Sequence, residues 1–132
     1  MFKVIETPQA PKPIGPYSQA IQMGDLLFLS GQIPLDPLTG ELVGSTASDQ
    51  AQQVLSNLLA VLKAAGCDAK HVAKTTIFLT DLADFGEVNA VYGKVFGMDG
   101  PAPARSTVQV SALPRGCRVE IEAIARIPTP LP

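Results

Sequence analysis

Between Ser48 and Ala65 the apolar residues Ala51, Val54, Leu55, Leu58, Leu62 and Ala65 recur at the spacing of one helical face, and Gly66 stands where a helix ends. The pattern changes on either side. Leu26 to Ser30 is a short apolar run bounded by Gly24-Asp25 and Gly31, which predicts a buried strand, and Tyr17 to Met23 is placed to pair with it as a hairpin. Val72 to Thr80 is rich in β-branched and aromatic residues and predicts a strand, after which Asp84 is positioned to cap a second helix running to about Phe96. Two further strands follow. Arg105 to Val110 places Arg105, Thr107 and Gln109 on one face, and Arg118 to Arg126 sets Arg118, Glu120, Glu122 and Arg126 opposite Val119, Ile121, Ala123 and Ala125.

The predicted order is β-β-β-α-β-α-β-β, an α+β layer with about six strands and both helices on one face of the sheet. The other face is expected to carry Arg105, Glu120 and Glu122 beside apolar groups, bathed in water or packed against another subunit. Thr7 to Pro16, with four prolines and Gly15, predicts an extended arm or loop. Gly97 to Pro103 is a second break of the same kind.

Composition adds limits rather than detail. A chain of 132 residues suits one domain over residues 1–132, and 46% hydrophobic with only 17% charged residues suggests that some surface is covered between subunits. The net charge is -2 and the basic residues are scattered, so no nucleic-acid partner is expected. The opening residues are too short and interrupted for a secretory signal, and no stretch offers the roughly 20 apolar residues of a membrane span. A soluble, cytoplasmic protein is expected.

Cys67 and Cys117 are the only cysteines and His71 the only histidine, which leaves no ligand set for zinc and little basis for a Ser-His-Asp triad. His71 reads as a surface residue at a strand entrance, and both cysteines read as structural. Arg105 has two open readings: an edge arginine in a surface ion pair, or a guanidinium fork holding a carboxylate through two parallel hydrogen bonds. Glu120 is either a solvent-facing carboxylate paired with Arg118 or Arg126, or a carboxylate in a partly dry cleft that orients water and moves protons. Ser30-Gly31 closes a strand with a turn that also suits a hydroxyl at a pocket, and Tyr17 suits either a core position or a cleft wall.

Several segments, in order and spacing over nearly the whole chain, resemble the reactive-intermediate deaminase (Rid) family, also called the YjgF/YER057c/UK114 family. They are Ile14-Gly15-Pro16-Tyr17-Ser18-Gln19-Ala20, Ser30-Gly31-Gln32-Ile33-Pro34, Lys74 to Leu82, Asp84-Phe85 with Val88-Asn89, Pro103-Ala104-Arg105-Ser106 and Val119 to Ala125. The resemblance implies a chorismate-mutase-like α+β fold, assembled as a trimer around a central barrel with a cleft at each subunit interface. It implies hydrolysis of 2-iminobutanoate and 2-iminopropanoate, imines derived from 2-aminoacrylate chemistry, to 2-keto acids and ammonia, with no metal or organic cofactor. Carried onto this chain, Arg105 anchors the substrate carboxylate and Glu120 orients water and manages protons. Tyr17, Ser30 and Gly31 line the cleft, Asn89 is a further lining candidate, and the backbone of Thr107 contacts substrate near the imine. Thr107 departs from the cysteine of the enterobacterial deaminases, a change expected to alter pocket size more than the reaction.

Three other readings compete. An endoribonuclease or translation inhibitor is disfavoured by the acidic balance, the absence of tryptophan and the presence of only two tyrosines. A non-catalytic trimer that captures small carboxylates is disfavoured by Glu120 accompanying Arg105. Deamination of a larger compound such as 2-aminomuconate depends on pocket size, which the residue pattern leaves open.

Overall fold

The computed structural model describes residues 2–97 and 100–128. Three strands come first: β1 (Phe2–Ile5), β2 (Ala20–Met23) and β3 (Leu26–Gln32) form an antiparallel meander, with Phe2 opposite Met23 and Met23 opposite Leu26. Helix α1 (Ala47–Ala64) follows, then β4 (Val72–Leu79), α2 (Phe85–Phe96), β5 (Ala104–Gln109) and β6 (Val119–Arg126). The sheet order is β1-β2-β3-β6-β4-β5, antiparallel except for the β4–β5 pair, which α2 connects as a parallel crossover.

Thr46 caps α1, its side chain accepting from the Asp49 amide at 3.0 Å, and Gly66 (φ 78°) ends it in the left-handed turn that a glycine adopts without strain. Ala51, Val54, Leu55, Leu58, Val61 and Leu62 form the buried face of α1. They meet Leu27, Leu29, Ile77, Leu79, Val119, Ile121, Ala123 and Ala125, the alternate residues of β3, β4 and β6. The period-2 pattern in the strands and the 3.6-residue pattern in the helices thus bury one face each. At the start of α2 the expected cap shifts. Asp84 makes no side-chain capping bond, and Asp81 instead accepts from the Ala83 amide at 2.9 Å to start a short 3-10 turn that leads into the helix.

The face of the sheet away from the helices is uncovered in the single chain, apolar across β1, β2 and β3 and carrying Glu120 and Glu122 on β6. Val4, Ile21, Phe28 and Ile124 share one row across β1, β2, β3 and β6, and Phe2 is 71% exposed in the next. No helix among the described residues is long and apolar enough to cross a membrane.

Candidate functional site

Glu120 sits on the uncovered face of β6, in register with Phe78 of β4 and, through it, Val108 of β5. Beside it the pairing of β3 with β6 slips between Leu29 and Gln32, so that Ser30 and Gly31 form a bulge. The bulge turns Gly31 directly onto the Glu120 carboxylate: a Cβ on residue 31 would stand 2.9 Å from Glu120 Cδ. Partial burial, and then the nearby charge of Glu122, push the Glu120 carboxyl above its ordinary value of 4.5.

The surrounding cleft has a volume of about 630 Å³, and Tyr17, Ser30, Gly31 and Glu120 all line it. Gln19 shapes its rim. Its buried carboxamide accepts from the Thr7 amide at 2.8 Å and donates to the Pro11 carbonyl at 2.9 Å, which ties the proline-rich arm to the β2–β3 hairpin. Tyr17, 52% exposed, projects from the end of that arm. Ser30 donates its hydroxyl proton to the Ser18 carbonyl at 2.6 Å, so it offers the cleft lone pairs rather than a free donor.

Arg105 corrects the sequence expectation. It pairs with Thr75, and Thr75 with Ala123, both buried under the helices, so the Arg105 side chain stands on the helix side of the sheet and not with Glu120 and Glu122. β5 alternates as its spacing predicts; which of its faces joins which face of β6 depends on the register with β4, and local spacing does not contain that. At the outer edge of the sheet the guanidinium donates to Asn89 Oδ1 at 2.7 Å and lies 4.9 Å from the Tyr92 ring centroid and 5.4 Å from that of Phe85. Three α2 side chains therefore fix its direction while, among the described residues, most of its donors have no partner. Thr107, two residues along, has a buried hydroxyl with no partner among the described residues.

Within one chain the candidate residues thus form two groups. Glu120, Tyr17, Ser30 and Gly31 share the cleft, while Arg105, Asn89 and Thr107 lie along β5 and α2 on the other face. Tyr92 has no sequence signal of this role, since an aromatic residue within a helical pattern suits a core position equally well, and Phe85 stands only in the family-like segment Asp84-Phe85. Lys12 and Arg115, which also line the cleft, belong to no periodic pattern.

The family described as endoribonuclease L-PSP matches residues 7–127. The chain belongs to this family, the YjgF/Rid family. Among Rid relatives, it is 61% identical to protein DfrA of Myxococcus xanthus over 125 residues, covering 93% of this chain and 94% of that protein. It is 54% identical to the mouse 2-iminobutanoate/2-iminopropanoate deaminase over 123 residues, covering 93% of this chain and 90% of that protein. The structure of Escherichia coli TdcF with bound serine superposes with a TM-score of 0.89 at 46% identity, covering 94% of this chain and 98% of that one. Two helices on one face of a six-stranded mixed sheet constitute the chorismate-mutase-like Rid fold.

Proposed function

We propose that the protein is a Rid-type deaminase that hydrolyses 2-iminobutanoate and 2-iminopropanoate to 2-keto acids and ammonia. The observation that carries this reading is the Glu120 carboxylate, seated against Gly31 in a cleft and pushed toward holding a proton. A carboxyl raised by burial above its ordinary value, within reach of a cleft, suits general acid-base work. Water adds to the carbon of the protonated imine while Glu120 takes one of its protons, giving a neutral carbinolamine; Glu120 returns that proton to the amine, then takes the hydroxyl proton as the carbonyl forms and ammonia leaves. The named deaminase relative and the serine bound to TdcF are in keeping with a small 2-amino or 2-imino acid.

Arg105 is the anchor for the substrate carboxylate in this reading, with Asn89 holding one of its donors and the Thr107 backbone beside it. Because Arg105 and Glu120 project from opposite faces of their own sheet, the working site joins Glu120, Tyr17, Ser30 and Gly31 of one copy to Arg105 of a second. A homotrimer closed through the uncovered apolar faces supplies that junction and removes Phe2, Val4 and Phe28 from water. No cofactor is required.

The test is ammonia release from 2-iminobutanoate, generated in the assay by pyridoxal-phosphate-dependent dehydration of threonine, after chelation and dialysis of the protein. Acceleration over the uncatalysed rate is expected; dependence on an added divalent metal would refute the mechanism. Sedimentation equilibrium should return three times the 13.8 kDa chain mass, and a mass near 13.8 kDa would refute the shared site.

A further inference from the structure

In the single chain, before a second copy adds Arg105, the cleft beside Glu120 measures about 630 Å³, more than a substrate of four carbons needs. Lys12 and Arg115 line the same cleft, and among the described residues neither takes part in an ion pair. Arg115 is not merely a loose surface side chain. Among the described residues it is the sole non-glycine with positive φ (62°, with ψ 15°), in a tight turn where the Cys117 amide donates to the Pro114 carbonyl at 3.3 Å. That backbone costs an L-residue roughly 1–2 kcal/mol, and such strain is concentrated at ligand clamps and active sites. One of its guanidinium nitrogens donates to the Gly40 carbonyl at 3.3 Å, which steadies the group while leaving other donors free.

We propose that Lys12 and Arg115 form a second anion subsite in the cleft, which extends the substrates to 2-imino dicarboxylates, the imines of acidic amino acids. This rests on the deaminase reading, with the carboxylate next to the imine on Arg105 and the distal one on Arg115 and Lys12. The bonds made and broken are unchanged: water adds to the imine carbon, ammonia leaves, and the distal carboxylate takes no part. Glu120 and Glu122 share the cleft, so a singly charged carboxylate suits the subsite better than a doubly charged phosphate, which two neighbouring carboxylates repel.

The experiment compares kcat/KM for 2-iminoglutarate, formed in the assay by oxidation of glutamate with an amino acid oxidase, and for 2-iminobutanoate. Arg115→Gly deletes the guanidinium while suiting the left-handed backbone, so the fold is preserved; Lys12→Met is combined with it. The ratio of dicarboxylate to monocarboxylate kcat/KM is expected to fall about tenfold or more in the double variant, mainly through KM. An unaltered ratio overturns the subsite. If the parent protein hydrolyses neither imine, the deaminase reading fails, and calorimetry then decides the subsite separately. 2-Oxoglutarate should bind the parent protein, and the double variant should weaken it about tenfold more than it weakens 2-oxobutanoate. No binding of 2-oxoglutarate, or equal weakening of both acids, overturns it.

Discussion

Gly31 and Glu120 are so closely apposed that a methyl group at residue 31 would stand 2.9 Å from Glu120 Cδ and 3.0 Å from its Cγ. The obstacle is the far end of a flexible side chain, which can swing aside. Gly31→Ala is therefore expected to change stability by less than about 1 kcal/mol, as at ordinary sites without a cavity or a lost cap. Turnover of 2-iminobutanoate should fall about a hundredfold, because the carboxylate leaves the position from which it serves water. Urea denaturation and the ammonia-release assay, run side by side, read both quantities; an intact rate would remove Glu120 from the chemistry.

Arg105 and Glu120 have different tasks, so their variants should separate binding from turnover. Arg105→Lys retains charge but loses the planar fork, and it should weaken 2-oxobutanoate binding and turnover together. Glu120→Gln retains shape but loses the proton acceptor, and turnover should drop roughly a hundredfold while product binding is kept. Calorimetry with 2-oxobutanoate distinguishes the two. A Glu120→Gln protein with full activity and an Arg105→Lys protein that binds nothing would make the cleft a carboxylate-binding site alone.

The raised Glu120 carboxyl also has a signed effect on stability. Burial first, and Glu122 second, make the native state hold this proton more tightly than the unfolded chain does at its ordinary value of 4.5. The native state then carries more protons above pH 4.5, so this contribution is fully present below that value and is lost as pH rises through the raised one. Relative to the parent, Glu120→Gln should therefore gain stability as pH rises past 4.5, in denaturation curves taken at one protein concentration. Glu122→Gln removes the like charge and should move the acid limb of the pH–rate profile to lower pH.

Behind Arg105, Tyr92 Oη and Thr75 Oγ1 share a buried hydrogen bond of 2.6 Å that locks the ring under the guanidinium. Tyr92→Phe and Thr75→Val each strand the other hydroxyl and should cost about 1–3 kcal/mol in urea denaturation. The double variant should cost clearly less than the sum, since no polar group is left unpaired. Strict additivity would mean that the bond contributes nothing to the native state.

The residue pattern alone determined α1, β4, the core face of β6 and the helix–strand order, because each depends on a periodicity of 3.6 or 2 that lies within one segment. It also carried the alternation of Glu120 and Glu122, but not the state of Ser30-Gly31, which the pattern reads as a turn closing a strand and which is a bulge inside β3 (Leu26–Gln32). Only the tertiary structure decided which candidates meet. The pairing of Arg105 with Thr75 put the arginine on the helix side, and the bulge at Ser30-Gly31 brought a glycine from β3 over a carboxylate of β6. Both are relations between segments brought together by folding, and a shift of one residue in register inverts the face on which a strand's side chains stand. The same holds for Lys12 and Arg115, whose shared cleft joins an irregular arm to a strained turn about a hundred residues further along.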